Sequence, residues 1–373
     1  MTRWLAGLTL LFAMAGPALA HKASDGFVYL DTSTEPSQLR IDVALRDLAL
    51  VVPLDANGDR QVTSDELNRA RGDITRYLEQ GVQLQAGSRN CRLVGQDWGL
   101  SRHSDGPYAA LRYQVRCPAD AAPDQLRYDL LFEVDSLHRG LIQQTDGDQE
   151  QLAVLGPDDH ALSLDAAGRS WFSVFADFLQ QGIWHLLLGF DHLLFLLVLI
   201  LPATLARHQS TRDPKILRSR LWELAGIVSS FTVAHSLTLG MTVLGLVHPP
   251  SGPVEIIIAL SIAVTAINLL FPVLGHRTWK IAFGFGLVHG FGFASVLEEL
   301  THGTSERVLA LAGFNLGVEA GQLLILAVIF PLLYAISRYR LYQRAAVPAI
   351  ALVVTVISLY WAAQRFVALP MMS

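Results

Sequence analysis

The chain changes its pattern near residue 170. Before that point apolar and polar residues alternate in short stretches, the period of half-buried strands, at 26–31, 39–43, 82–86, 109–116 and 126–134. Turn-rich segments such as 34–37 and 117–120 separate them. Residues 64–80 are the one stretch with a helical period, opened by Ser64 as a cap with acids in the first turn. The pattern predicts a small, mostly-β domain over residues 21–168, a sandwich with one inserted helix.

After Trp171 the alternation gives way to long apolar runs. Six of them, at 182–203, 221–245, 254–274, 279–297, 309–336 and 345–366, each approach the roughly 20 residues needed to cross about 30 Å of hydrocarbon. They predict a six-helix transmembrane domain over 169–370, with 171–181 lying along the interface and leading the chain in.

Composition and charge place this architecture in the cell. Of all residues, 51% are hydrophobic and 16% charged, against about 25% charged in a soluble domain. Net charge is -5 and no basic run is interleaved with aromatics, so nucleic acid is not a partner. Residues 1–20 have the form of a signal peptide: Arg3, a short apolar stretch, then Ala18-Leu19-Ala20 as a cleavage site. Positive loop residues recur on alternate sides: Arg207, Arg212, Lys215, Arg218 and Arg220, then Arg277 and Lys280, then Arg338, Arg340 and Arg344. The intervening loop 247–253 carries no Lys or Arg, and 298–306 is acidic. By the positive-inside rule this is a multi-pass inner-membrane protein with residues 21–168 periplasmic and the basic loops cytoplasmic.

Two candidate features lie in the exported domain. Cys91 and Cys117 are the only cysteines, and in an oxidising compartment they predict a disulfide worth roughly 3 kcal/mol in the chain-entropy model. Asp55, Asn57, Asp59, Gln61, Thr63 and Glu66 occupy the oxygen-ligand positions of an EF-hand calcium loop, followed by a helix as such a loop requires. Arg60 stands where the loop glycine belongs, and Val51-Val52-Pro53 breaks any preceding helix. A polar turn capping the helix is the other reading.

The membrane half carries the richer chemistry. Ionisable residues within spans are costly and mark sites or pathways. Here they are His185, Asp191 and His192 in the first run, His235 in the second, His289 in the fourth and Glu319 in the fifth, with Thr232, Asn315 and Gln322 nearby. At about 1.5 Å rise per residue, His192, His235, His289 and Glu319 all fall about 15–20 Å deep and converge near the midplane. His185 and His192, seven apart, stack on one helix face, and Asp191 turns about 100° away, able to orient a neighbouring ring. Glycines flank His289, and the segments Phe231-x-x-x-His235-Ser and Phe285-x-x-x-His289-Gly hint at an internal repeat.

Imidazole with carboxylate suits nickel, cobalt, zinc or iron(II), and the membrane half has no cysteine and few methionines to hold copper(I). The reading is a divalent-metal permease rather than an enzyme: His192, His235 and His289 bind the ion, His185 is an outer relay, and Asp191 or Glu319 supplies charge. Two alternatives stay open, an intramembrane zinc-dependent hydrolase and a haem-binding or assembly membrane protein. Expected partners are membrane lipid, the metal ion and a periplasmic partner for the exported domain.

The stretch His185-Leu-Leu-Leu-Gly189-Phe-Asp191-His192 resembles the first-helix signature of the HupE/UreJ nickel-permease family, His-Pro-x-x-Gly-x-Asp-His. Leu186 replaces the proline, and Leu194-Phe195 stands where that family usually has Ala-Met. Phe231-Thr-x-Ala-His235-Ser, Gly286-Leu-Val-His289-Gly-Phe-Gly-Phe and Phe314-Asn-Leu-Gly-Val-Glu319-Ala-Gly-Gln look like a branch of that family with a large exported domain. The resemblance covers residues 170–367 and implies divalent-metal handling through His185, Asp191 and His192.

Overall fold

A computed structural model describes residues 24–372, apart from 60, 104–105, 137, 148, 165–170, 206–213, 272–277 and 302–306. The expected signal peptide, residues 1–20, and the loop residues Arg207, Arg212 and Arg277 therefore lie outside the described residues. The N-terminal region runs β1 (Asp25–Asp31), β2 (Ser37–Ala44), α1 (Leu45–Leu48), α2 (Ser64–Gly81), β3 (Val82–Ala86), β4 (Arg89–Asn90), β5 (Arg92–His103), β6 (Gly106–Arg116), β7 (Gln125–Tyr128), β8 (Arg139–Asp146), β9 (Gln149–Leu155) and β10 (Ala161–Ser163). The strands form a six-stranded sheet, β5-β6-β2-β1-β8-β9, and a four-stranded sheet, β10-β7-β3-β4. Only the central β1–β8 pair of the large sheet is parallel.

Alternation along β1 and β2 explains why both faces of that sheet are covered. Val28, Leu30, Leu39, Ile41 and Val43 point into a core shared with the small sheet and with Leu67, Ala70, Ile74 and Leu78 of α2. Those four α2 residues recur at helical spacing, so one stripe of the helix is buried. The cap of α2 is Thr63 rather than Ser64. The Glu66 amide donates to Thr63 Oγ1 and the Thr63 amide donates to Glu66 Oε2 at 3.0 Å. This reciprocal box needs Glu three residues after the cap, which selects Thr63 over its neighbour.

Other boundaries moved as well. The stretch 126–134 leaves the sheet after Tyr128, where Asp129 N–H donates to the Gly81 carbonyl and Leu131 adopts φ 61°. Leu130 and Leu131 are buried in the core, so their hydrophobicity reported burial and not a strand. The disulfide joins Cys91, just before β5, to Cys117, just after β6, across two antiparallel neighbours.

The C-terminal region is helical: α3 (Trp171–Leu188), α4 (Phe190–Thr204), α5 (Pro214–Val243), α6 (Ser251–Leu270), α7 (Thr278–Thr301), α8 (Arg307–Ile336), a π-helical turn at Tyr342–Ala346, and α9 (Val347–Met372). Among the described residues four spans are long and apolar enough to cross a membrane, and five if α3 and α4 count as one broken span. The expected count was six. The predicted run 279–297 lies in α7, a helix of 24 residues whose side chains after 292 are outside the described ones.

The first predicted span, 182–203, is not one straight helix. It breaks at Gly189, and the two halves meet at 71°. A Cβ at Gly189 would stand 2.7 Å from both the His185 carbonyl and His192 Nδ1, so the bend tolerates no side chain there. Residues 171–181 are likewise no separate interfacial segment; they open α3, which runs along α8.

Glycines set how the helices pair. A Cβ on Gly182 would fall 2.1 Å from the Phe314 carbonyl, and one on Gly317 2.0 Å from the Leu179 carbonyl, so α3 and α8 touch backbone to backbone. Gly286 and Gly290 likewise press against the carbonyls of Phe231 and His235, joining α7 to α5. In both pairs contact positions advance together, so each pair is parallel. The Phe231–His235 and Phe285–His289 segments thereby lie level, side by side. By contrast α6 and α9 run antiparallel, with Glu255 against Arg365 and Ala259 clustered with Trp361 and Ala362.

The outward face of the large sheet meets this bundle. Phe27, Tyr108, Leu141 and Leu152 share one buried apolar cluster with Val174 and Phe178 of α3, Leu239 and Val243 of α5, and Phe314 of α8.

Candidate functional site

Four histidines gather where α3, α4, α5 and α7 meet, interleaved with phenylalanines. The His185 and His192 rings are 4.8 Å apart, edge to face, brought together by the bend at Gly189 and not by seven-residue stacking on a straight helix. His192 and His289 are 5.5 Å apart. His235 is reached across aromatic rings: Phe231 lies 6.0 Å from His235 and 5.3 Å from His289, and Phe314 lies 5.3 Å from His185 and 6.5 Å from His235. Phe195 sits 5.5 Å from His289 and closes the group. Sequence reasoning singled out none of these three phenylalanines as part of the site, because aromatic residues in apolar runs carry no signal of their own.

The hydrogen bonds fix each ring's protonation pattern. His289 Nδ1 lies 2.9 Å from the Phe285 carbonyl, which only accepts, so Nδ1 carries the hydrogen. His192 Nδ1 lies 2.9 Å from Asp191 Oδ1, a carboxylate oxygen that also accepts the His192 amide at 2.8 Å. His235 Nδ1 lies 3.1 Å from Asn315 Oδ1, and the Asn315 amide is oriented by its own Nδ2 donating to the Leu311 carbonyl at 2.9 Å. In all three rings Nδ1 donates and Nε2 is left with its lone pair. Each of these Nε2 atoms is buried with no hydrogen-bond partner among the described residues.

Three orphaned buried acceptors of one kind are unusual, since buried polar atoms are overwhelmingly paired. An imidazole whose Nδ1–H is held by a carboxylate, an amide or a carbonyl, with Nε2 presented, has the form of a metal ligand with its outer partner in place. Among the described residues no group of three or more His, Cys, Asp or Glu side chains is arranged to hold one ion. The rings follow one another, His185 to His192 to His289, with His235 reached through Phe231 and Phe314.

Glu319 is held by a hydroxyl. It accepts from Ser229 Oγ at 2.7 Å, in a polar ladder between α5 and α8 that continues with Thr232 donating to Gln322 Oε1 and His235 to Asn315. One further pair escaped the sequence reading entirely: Arg365 of α9 against Glu255 of α6, with Nε to Oε2 at 3.5 Å and Nη1 donating to the Glu255 carbonyl at 3.0 Å.

The histidines of the β domain are differently placed. His138 has both ring nitrogens engaged, Nδ1 with Ser24 Oγ and Nε2 with Tyr128 OH, each at 2.6 Å. Burial pushes its pKa down to about 3. His160 faces Asp129 Oδ1 and the Pro157 carbonyl. His103 meets Asp42, whose carboxyl is raised by burial but held below its usual range overall by hydrogen bonds from His103, Arg40 and Ser101.

In the loop 55–66 the candidate oxygens are turned onto the backbone. Asp55 accepts from Gly58 N, Asn57 from Asp59 N and Asp59 from Gln61 N, at 2.7–2.8 Å. Glu66 accepts from the amides of Ala56 and Thr63 and from Thr63 Oγ1. The arrangement caps α2 as it stands.

A family model described as HupE / UreJ protein matches residues 161–365, more than half of the chain and nearly all of its helical region. No curated protein matches the chain.

Proposed function

The chain belongs to the HupE / UreJ family, and on that premise we propose that it is a divalent transition-metal permease of the nickel and cobalt type, in the inner membrane with its β domain periplasmic. The observation that carries the reading is the set of three buried Nε2 lone pairs on His192, His235 and His289, each backed by a fixed Nδ1 partner. Neutral imidazole nitrogen suits nickel, cobalt and zinc.

The chain's own groups divide the work. His185 and His192, drawn together at the Gly189 bend, receive the ion, with Asp191 orienting His192 and supplying a negative charge. His289 takes it next, 5.5 Å further by ring centre. Phe195, Phe231 and Phe314 keep water out, so nitrogen ligands replace the ion's hydration stepwise. Rings strung along a path suit a cargo that must leave as readily as it enters. A catalytic zinc would instead call for three protein ligands at one point.

The test is uptake of Ni²⁺, Co²⁺ and Zn²⁺ into proteoliposomes by the full chain and by a His192→Ala, His235→Ala, His289→Ala triple variant. Uptake of at least one ion, lost in the variant, is expected. A wild-type protein that carries none of them overturns the reading.

A further inference from the structure

His235 differs from the other path histidines in what surrounds its ring. His185, His192 and His289 meet ring to ring, whereas the rings against His235, among the described residues, are Phe231 and Phe314. Both lie nearly parallel to the imidazole, at 22° and 21°, with centroids 6.0 and 6.5 Å away. Each also meets a second histidine at a steeper angle, Phe231 with His289 at 64° and Phe314 with His185 at 53°. Ring contacts therefore join His235 to its neighbours through phenylalanine alone.

The two phenylalanines hold matching positions in the fold. The Phe314 carbonyl is where Gly182 of α3 touches α8, and the Phe231 carbonyl is where Gly286 of α7 touches α5. Such close helix contact at the carbonyl leaves the backbone of either residue no room to withdraw. Both side chains are 1% exposed and His235 is fully buried. Opening a way to the unpaired His235 Nε2 is then a matter of turning a phenyl ring between rotamers. Until a ring turns, its apolar surface offers a hydration shell no hydrogen bonds, and an apolar constriction of this kind sheds water.

We propose that Phe231 and Phe314 are specificity-determining residues of the path, admitting to His235 only an ion that can exchange its water for imidazole nitrogen. The inference rests on the permease reading and adds to it which ions are refused. Ni²⁺, Co²⁺ and Zn²⁺ recover in nitrogen coordination what they lose in dehydration. Mg²⁺ gives up water reluctantly and Ca²⁺ requires many oxygen ligands, so His235 compensates neither. Protons are refused as well, because no continuous file of water passes the rings.

The measurement is uptake of Ni²⁺, Co²⁺, Zn²⁺, Mg²⁺ and Ca²⁺ by proteoliposomes of the full chain, with proton leak into the same vesicles recorded under an imposed potential. Phe231→Gln and Phe314→Gln keep bulk but let the space hydrate, while Phe231→Leu and Phe314→Leu keep it apolar. Size exclusion and melting temperature identify the variants that fold. In the glutamine variants Mg²⁺ and Ca²⁺ uptake should rise relative to the transition metals by roughly tenfold or more, the scale on which one altered contact in an apolar pocket moves discrimination. Proton leak should rise with it, and the leucine variants should keep the exclusion.

Wild-type protein that carries Mg²⁺ or Ca²⁺ as fast as the transition metals overturns the proposal without any variant. Folded glutamine variants with unchanged ion ratios overturn it too, as do leucine variants that lose the exclusion as fully as the glutamine ones. All three results leave the permease reading intact. If wild type carries none of the five ions, the permease reading falls by itself. A proton leak that rises in the glutamine variants then still supports closure by the rings, and an unchanged leak overturns that as well.

Discussion

Two buried histidine settings in this chain differ by a single hydrogen bond per ring. In the β domain His138 is wholly enclosed, and its surroundings satisfy both nitrogens: Tyr128 OH donates to Nε2, Nδ1–H donates to Ser24 Oγ, and Ser24 donates on to Asp135 at 2.8 Å. In the bundle His192, His235 and His289 are buried just as well, yet each keeps only its Nδ1 partner. Burial alone therefore does not mark a site. What separates structure from function is whether the fold finishes the ring's hydrogen bonding or leaves a lone pair open at the cost of an unsatisfied acceptor.

The comparison breaks most sharply under exchange of roles. His289→Ala is expected to reduce metal uptake about a hundredfold or more, the scale of removing a metal ligand or its outer partner, while leaving the melting temperature almost unchanged. His138→Ala should leave uptake intact and destabilise the protein by about 3 kcal/mol, because it strands a buried tyrosine hydroxyl. Similar effects of the two variants in uptake and thermal melting would erase the distinction.

Proton linkage sharpens it next. His138 has its pKa lowered from 6.5 to about 3 in the folded protein. Between those values the unfolded chain binds a proton that the folded chain does not, so stability contributed by the neutral ring is complete above about pH 6.5 and falls as pH drops toward 3. The slope contributed is at most about 1.4 kcal/mol per pH unit. Unfolding of the full chain followed from pH 7 to 4 should show it, and His138→Phe should remove that component.

A smaller effect separates ring orientation from ring presence. Asn315→Leu keeps His235 but removes the acceptor that fixes its Nδ1–H, and metal affinity should fall about 10- to 100-fold. Unchanged affinity would mean that the backing partner is dispensable. Smallest is Thr63→Ala, remote from both settings, which should cost about 1 kcal/mol through loss of the α2 cap and leave uptake untouched.

Much of this was legible in the chain. Apolar runs located the helices, and the rarity of ionisable residues within them picked out His185, Asp191, His192, His235, His289 and Glu319. What failed to show has identifiable causes. Gly189 reads as an ordinary helix glycine, and only the closeness of His185 and His192 around it shows that the bend requires glycine there. Strands β5, β8 and β9 went unread because their polar residues fall on both faces: β5 is a largely exposed edge strand, and β8 is glutamine-rich. Depth placed Glu319 level with the histidines, yet Asn315, one turn earlier on the same face of α8, is the residue that meets His235, while Glu319 accepts from Ser229. Arg365 looked like a flanking residue at the end of the last run, and no spacing links it to Glu255.

The glycine seams carry a mechanical consequence. Where α3 meets α8, and α5 meets α7, carbonyls lie against bare Cα atoms with no side chain between, so neither pair has slack along its length. The boundary between the pairs is made differently, from hydroxyl, amide and imidazole contacts that can be exchanged one for another: Ser229 with Glu319, Thr232 with Gln322, His235 with Asn315. The bundle is thus two stiff struts meeting along a compliant joint, and the ring most directly gripped by that joint is His235.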